Sequence, residues 1–206
     1  FDRFPVDYAY TVDGGELGEV VETTFNAATA TITIAGVSAH PMNAKGNLVN
    51  PITLAMEFAN QLNPQETPEH TEGREGFIWL NHIDGNQSTC TIQLSIRDHD
   101  RAGYEEKKQR LRSLASNLAD AYPRATITCN IEDVYANISD AKTPENSVGS
   151  ERLHATMRRL GIEAKEIDMR GGTDGSWLSN QGIYTPNYFT GAHNFHSIYE
   201  FLPVPS

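Results

Sequence analysis

"TATITIAG", residues 29–36, alternates without a break: Ala30, Ile32 and Ile34 fall on one side, and Thr29, Thr31 and Thr33 on the other. Successive side chains of a strand point to opposite faces, so this stretch is a strand with one buried and one wet face. Its apolar face needs cover, and helices are the expected source. "NPITLAMEFANQLNP", residues 50–64, repeats Ile52, Ala55, Met56, Ala59 and Leu62 at three- and four-residue spacing, the stripe of a helix. Asn50 suits the N-cap, Pro51 the first helical position, and Pro64 ends the pattern.

Outward from there, "GFIWLNHIDGNQSTCTIQLSIRD", residues 76–98, reads as two strands joined by a hairpin at Asp84-Gly85-Asn86. In the second of them Ile92, Leu94 and Ile96 share a face. A second helix is predicted from Arg101 to Tyr122, with Leu111, Leu114, Leu118 and Ala121 as its stripe and Asp98 or Asp100 as its cap. "ATITCNIEDVY", residues 125–135, is another alternating strand, with Ile127, Cys129 and Ile131 inward. The order β-α-β-β-α-β, over residues 25–137, is the ferredoxin-like arrangement: one antiparallel sheet with two helices on one face. Cys90 and Cys129 would then lie two strands apart, roughly 10 Å at a strand spacing of about 4.8 Å, too far to bridge.

Residues 138–206 alternate helix and strand, the pattern of an α/β sheet, and "DYAYTVDGG" could add a strand to it. The fold class expected is therefore α/β with an inserted α+β module: residues 1–24 and 138–206 form a partial α/β domain, and 25–137 the ferredoxin-like insert. A start such as "FDRFPVDYAY" and an end such as "YEFLPVPS" lead us to expect a piece of a longer protein.

Composition narrows the function. The 206 residues carry a formal charge of −11, which gives no generic attraction to nucleic acid or anionic lipid. No apolar run approaches a membrane span. Two cysteines make no disulfide framework, so a reducing, cytoplasmic compartment is expected.

Three loops of the α/β part could carry chemistry: Asp13-Gly14-Gly15, residues 170–175 (RGGTDG) and residues 193–200 (HNFHSIYE). Loops that follow parallel strands converge at one edge of a sheet. Asp13 reads either as a turn residue or as a ligand at a strand end. His196, with Asn194 and Glu200 nearby, reads as a metal ligand, an acid/base or a surface histidine. The RGGTDG loop is either an anion cradle with Arg170 or a glycine-rich turn, and Asp174 is expected to cap the helix that follows. His40 and Arg97, in the insert, are more ordinary on spacing alone. Asp13 and His196 make only two of the three or four protein ligands of a zinc site.

Taken together, "AYTVDGGELGE" (9–19), "SAHPMNAKGNLVNP" (38–51), "TEGREGF" (71–77), "SIRDHDR" (95–101), "IEDVYANI" (131–138), "RGGTDGSWLS" (170–179) and "PNYFTGAHNFHSIYEF" (186–201) resemble the aminotripeptidases of the dinuclear-zinc exopeptidase family, which also holds carboxypeptidases, dipeptidases and aminoacylases. The resemblance implies a catalytic α/β domain with two Zn2+ ions and an inserted lid or dimerisation domain. It implies that Asp13 and His196 are metal ligands, and that His40 is a catalytic group of the lid that reaches the active site of the partner subunit and helps bind substrate or the oxyanion. Arg97 and Arg170 would grip the peptide's carboxylate, with Asn194 also near the substrate. A homodimer through the lid and a small peptide substrate follow. So does a catalytic domain lacking its N-terminal part and its C-terminal helix here, hence a chain inactive by itself. The family's His-Pro is followed here by Met42-Asn43, and Ser197-Ile198-Tyr199 replaces the usual residues before Glu200-Phe201. A related dipeptidase or deacylase, or a non-catalytic dimerisation module, are the other readings.

Overall fold

The structure, a computed structural model, describes residues 6–204. The first and last residues of the expected α/β part, 1–5 and 205–206, lie outside that range. The chain divides into two compact units, Asn26–Val134 and Phe1–Phe25 with Tyr135–Ser206. The sequence pattern puts these boundaries at 24/25 and 137/138.

The first two strands of the chain, β1 (Thr11–Gly14) and β2 (Glu19–Thr24), belong to the split unit. The Asn26–Val134 unit is a four-stranded sheet in the order β4-β5-β3-β6, made of β3 (Asn26–Ala35), β4 (Phe77–Gly85), β5 (Thr89–Asp98) and β6 (Thr126–Tyr135). Its last strand runs one residue past the unit boundary. Helices α1 (Pro51–Ala59) and α2 (Arg101–Ala121) pack on it. The alternation sets the register. Ala30 pairs with Leu94, Ile32 with Ile92 and Ile34 with Cys90, so the apolar side chains of β3 and β5 meet on one face and are fully or almost fully buried. Each leucine and isoleucine among them contributes about 1.5–3 kcal/mol by leaving water. Ile127, Cys129 and Ile131 of β6 pack against this core as expected, and both cysteines are free thiols. The hairpin is closed by Asn86, whose Oδ1 accepts from the N–H groups of Ser88 and Thr89.

The helix stripes need correction. Asn50 does cap α1, its Oδ1 accepting from the Ile52 N–H at 3.0 Å. The buried face, however, is Leu54, Ala55 and Phe58, while Ile52 is 38% and Met56 59% exposed. This helix is apolar on two sides, so three- and four-residue spacing fits either, and the bulk of Phe58 decides which goes inward. In α2 the core positions are Tyr104, Leu111, Ala115 and Leu118, and Ala121 is exposed. Two lysines are buried beside them because each meets a carboxylate: Lys107 pairs with Asp98 at 2.7 Å and Lys108 with Asp133 at 2.8 Å. Asp100, rather than Asp98, caps this helix through the Gly103 N–H.

The second unit holds a four-stranded mixed sheet, order β1-β8-β2-β7, with β7 (Lys165–Met169) and β8 (Asn187–Phe189) joining β1 and β2. Helices α3 (Val148–Arg159) and α4 (Asp174–Asn180) complete it. Strand β2 was not foreseen, since Glu19–Thr24 shows no clean alternation; Val20 and Val21 are both buried.

Candidate functional site

Asp13 sits at the C-terminal end of β1, on a β-bulge. β1 runs parallel to β8 with Thr11 opposite Asn187 and Val12 opposite Tyr188, and then Gly14, not Asp13, takes the place opposite Phe189. Asp13 is the extra residue. A bulge bends its strand and re-aims the side chain at that point. The Asp13 N–H donates to the side-chain Oδ1 of Asn187 at 2.9 Å, and the Asp13 side chain stays exposed. Gly14 is there for clearance: a Cβ on it would lie 2.7 Å from the carbonyl carbon and oxygen of Tyr188.

The same strand end anchors the loop that follows β8. Thr190 donates to the Gly14 carbonyl twice, from its N–H at 3.0 Å and from its hydroxyl at 2.8 Å, and the Gly191 N–H donates to Gly15 O at 2.9 Å. The loop is then closed by His193 and Phe201, which exchange two main-chain hydrogen bonds (2.9 and 3.2 Å) and stack their rings 5.2 Å apart. Asn194 and His196 both adopt left-handed backbone, φ 58° and 61°, a conformation that costs a non-glycine residue about 1–2 kcal/mol. The loop's own bonds hold them there. Asn194 Nδ2 donates to Tyr199 O at 3.3 Å, and the His196 N–H donates to the Glu200 carboxylate at 3.1 Å. The ring of His196 is exposed. So Asp13 and the His196 loop are stitched together through residues 190–191, at the end where the parallel strands β1 and β8 finish.

The RGGTDG loop is elsewhere. β7 runs parallel to β2, and β2 antiparallel to β8, so this loop leaves the sheet at the end where β1 and β8 begin. The expected convergence of all three loops on one edge therefore does not hold, because the sheet is mixed. Two of the glycines are explained by close packing: a Cβ on Gly172 would meet the Tyr135 ring at 2.6 Å, and one on Gly175 would meet Thr185 O at 2.4 Å. The Arg170 guanidinium lies 5.1 Å from the centre of the Phe25 ring. Thr173, not Asp174, is the N-cap residue of α4; Asp174 is its first helical residue.

In the other unit, His40 begins a short 3-10 turn at Pro41–Asn43, and its Nδ1 accepts from the Met42 N–H at 3.2 Å. That bond assigns the neutral ring's proton to Nε2, leaving an exposed N–H donor. Arg97 is part-buried, with Nη1 donating to Ala28 O (3.1 Å) and Ile96 O (2.8 Å).

A carboxylate and an imidazole are the donors zinc takes, so Asp13 and His196 suit such an ion by chemistry. By number they fall short: among the described residues no group of three or more His, Cys, Asp or Glu side chains could hold a metal ion. Sequence reading passed over Asn187. It is fully buried on a strand, an unusual place for an amide, but the partner that explains it is 174 residues away.

Residues 23–126 match the family model of the peptidase dimerisation domain. The chain is 49% identical over 209 aligned residues to a peptidase T-like protein of Yersinia pestis, which covers 99% of this chain and 50% of that protein. It is 45% identical to peptidase T of Geobacillus kaustophilus, covering 97% of this chain and 48% of that one. The chain thus spans about half the length of the curated relatives it matches. Among solved structures, aminopeptidase PepT from Bacillus cereus shares the fold, with a TM-score of 0.80 at 18% identity, over 98% of this chain and 54% of that one.

Proposed function

The chain belongs to the peptidase dimerisation-domain family, and from that premise we propose that it is part of a metal-dependent aminopeptidase that releases the N-terminal residue of tripeptides. The observation that carries this reading is the bulged strand end: Asp13 is turned out of the ladder beside the anchored loop that bears His196. The relatives named peptidase T, aligned along nearly all of this chain, support it.

Asp13 and His196 would each hold one of two zinc ions. Such a pair supplies Lewis-acid polarisation of the scissile carbonyl and a hydroxide at neutral pH. The remaining work falls to side chains. His40, with its proton on Nε2, would donate to the oxygen of the tetrahedral intermediate, where charge develops. By the same resemblance Arg97 and Arg170 would engage a peptide carboxylate, for which a guanidinium's forked N–H groups are suited, although the Arg170 loop leaves the sheet at the end opposite Asp13, and Asn194 would contact substrate from the His196 loop. With two ligands and, among the described residues, no group of three, the chain by itself is expected to hydrolyse nothing.

We assign the Asn26–Val134 unit the pairing role, as a homodimer. Ile52 and Met56 form an apolar strip on the outer side of α1, and the sheet ends at β4 and β6, whose outer edges can add a strand. Nothing favours nucleic acid or membrane as partners: the charge is −11, and no helix among the described residues is long and apolar enough to cross a membrane. We place the protein in the cytoplasm, a reading supported by its two free thiols.

The test is substrate profiling of the full-length protein. Tripeptides with a free amino terminus should lose their first residue, and their N-acetylated forms should not. Turnover confined to dipeptides or N-acyl amino acids would instead favour a related dipeptidase or deacylase. No turnover of any of them would leave a non-catalytic dimerisation module.

A further inference from the structure

We propose that Asn187 is the positioning residue that fixes Asp13 for metal binding, an inference that rests on the metallopeptidase reading above. Asn187 is fully buried in β8. The bulge takes the Asp13 N–H out of the strand ladder, and the Asn187 amide oxygen supplies the acceptor the ladder no longer provides. Of the bonds at this strand end, it is the one that ties the bulged residue itself, and so bears on the direction of the Asp13 side chain.

The other half of the amide shows what the residue is for. Its Nδ2 is buried and has no hydrogen-bond partner, and neither has the buried hydroxyl of Thr11, the residue opposite it across the β1–β8 ladder. An unpaired buried donor is destabilising, whereas an apolar side chain of the same shape would carry no such cost. Leucine would remove this orphan donor but would also strip the Asp13 N–H of its acceptor. What leucine lacks is the oxygen that holds Asp13. Groups that orient a metal ligand from behind set metal affinity, and losing one weakens it about 10- to 100-fold.

The experiment compares Asn187→Leu and Asn187→Ala with wild type in the full-length protein. It measures Zn2+ affinity by chelator competition and the melting temperature of chelator-stripped protein. Both variants should bind Zn2+ about 10- to 100-fold more weakly. Their stabilities should diverge, with Asn187→Leu, which fills the site, melting above Asn187→Ala, which leaves a cavity. Wild-type affinity in either folded variant, or affinity that follows melting temperature, would overturn the proposal. Asp13→Ala is run beside them: if it binds Zn2+ as wild type does, the metallopeptidase reading has failed, rather than the role of Asn187.

Discussion

The two units use strands differently. In Asn26–Val134 the strands are nine or ten residues long, and the alternating faces of β3 and β5 are answered by α1 and α2. In the other unit they are three to six residues long, and much of what matters lies past their ends. There the chain exposes Val12, Leu17 and Trp177, and Ile198 is 92% exposed at the tip of an otherwise well-bonded loop. Regular alternation builds a scaffold. Asp13, His196 and His40, three of the groups to which chemistry is assigned in the proposal above, sit where alternation stops, at a bulge, in a left-handed loop and on a short turn, whereas Arg97 lies within β5.

Substitutions can break that contrast. The largest stability effect is expected from Phe58→Ala, which empties a fully buried site between α1 and the sheet. It should cost about 3–5 kcal/mol in a urea titration, with the folded protein's metal affinity unchanged. A loss of metal affinity matching the loss of stability would mean that the units are not separable in this way. Gly14→Ala is the smaller counterpart in the other unit. With its Cβ 2.7 Å from the Tyr188 carbonyl, it should cost about 1–3 kcal/mol by overpacking. It should also weaken metal binding, because β1 must shift at Asp13.

The smallest effect is in acid. Each unit has a carboxylate held below its ordinary value. Burial pushes Glu22 up, but hydrogen bonds from Lys142, Ser150 and His154 more than offset it; burial likewise raises Asp133, and Lys108 and Tyr104 bring it down. A depressed carboxylate contributes stability above its unfolded-state value, and that contribution is lost as pH falls through the folded value. Both should therefore matter at neutral pH and fade below about pH 4. The Glu22 side chain is 20% exposed and that of Asp133 59%, so solvent screens Asp133 more. Glu22→Gln should flatten the acid limb of the melting-temperature profile more than Asp133→Asn does. The reverse order would show that the two environments have been misjudged.

Legibility followed the same divide. β3 and β5 could be read residue by residue, since each side chain's fate depended on its immediate neighbours. The stripe of α1 could not: Ile52 and Met56 fit the helical period as well as Leu54 and Phe58, and only packing chooses. The burial of Lys107 and Lys108 had no local signal, because their partners Asp98 and Asp133 come from strands on either side of their helix in the chain. Asp13 and His196 were visible as polar residues at strand ends and in a loop. The bulge was not, because it exists only in register with β8, and Asn187 stayed hidden with it. The direction of β7 was likewise set by pairing rather than by local pattern, which is why the RGGTDG loop was expected at the wrong end of the sheet.

The most direct test is hydrolysis of a free tripeptide by the full-length protein, wild type against Asp13→Ala. Asp13 is exposed and makes its mapped bond through the main chain, so the variant should fold and melt like wild type. Losing a metal ligand removes several kcal/mol of transition-state stabilisation, so the rate should fall on the order of a thousandfold. An Asp13→Ala protein that releases the N-terminal residue at the wild-type rate would contradict the assignment of chemistry to this strand end.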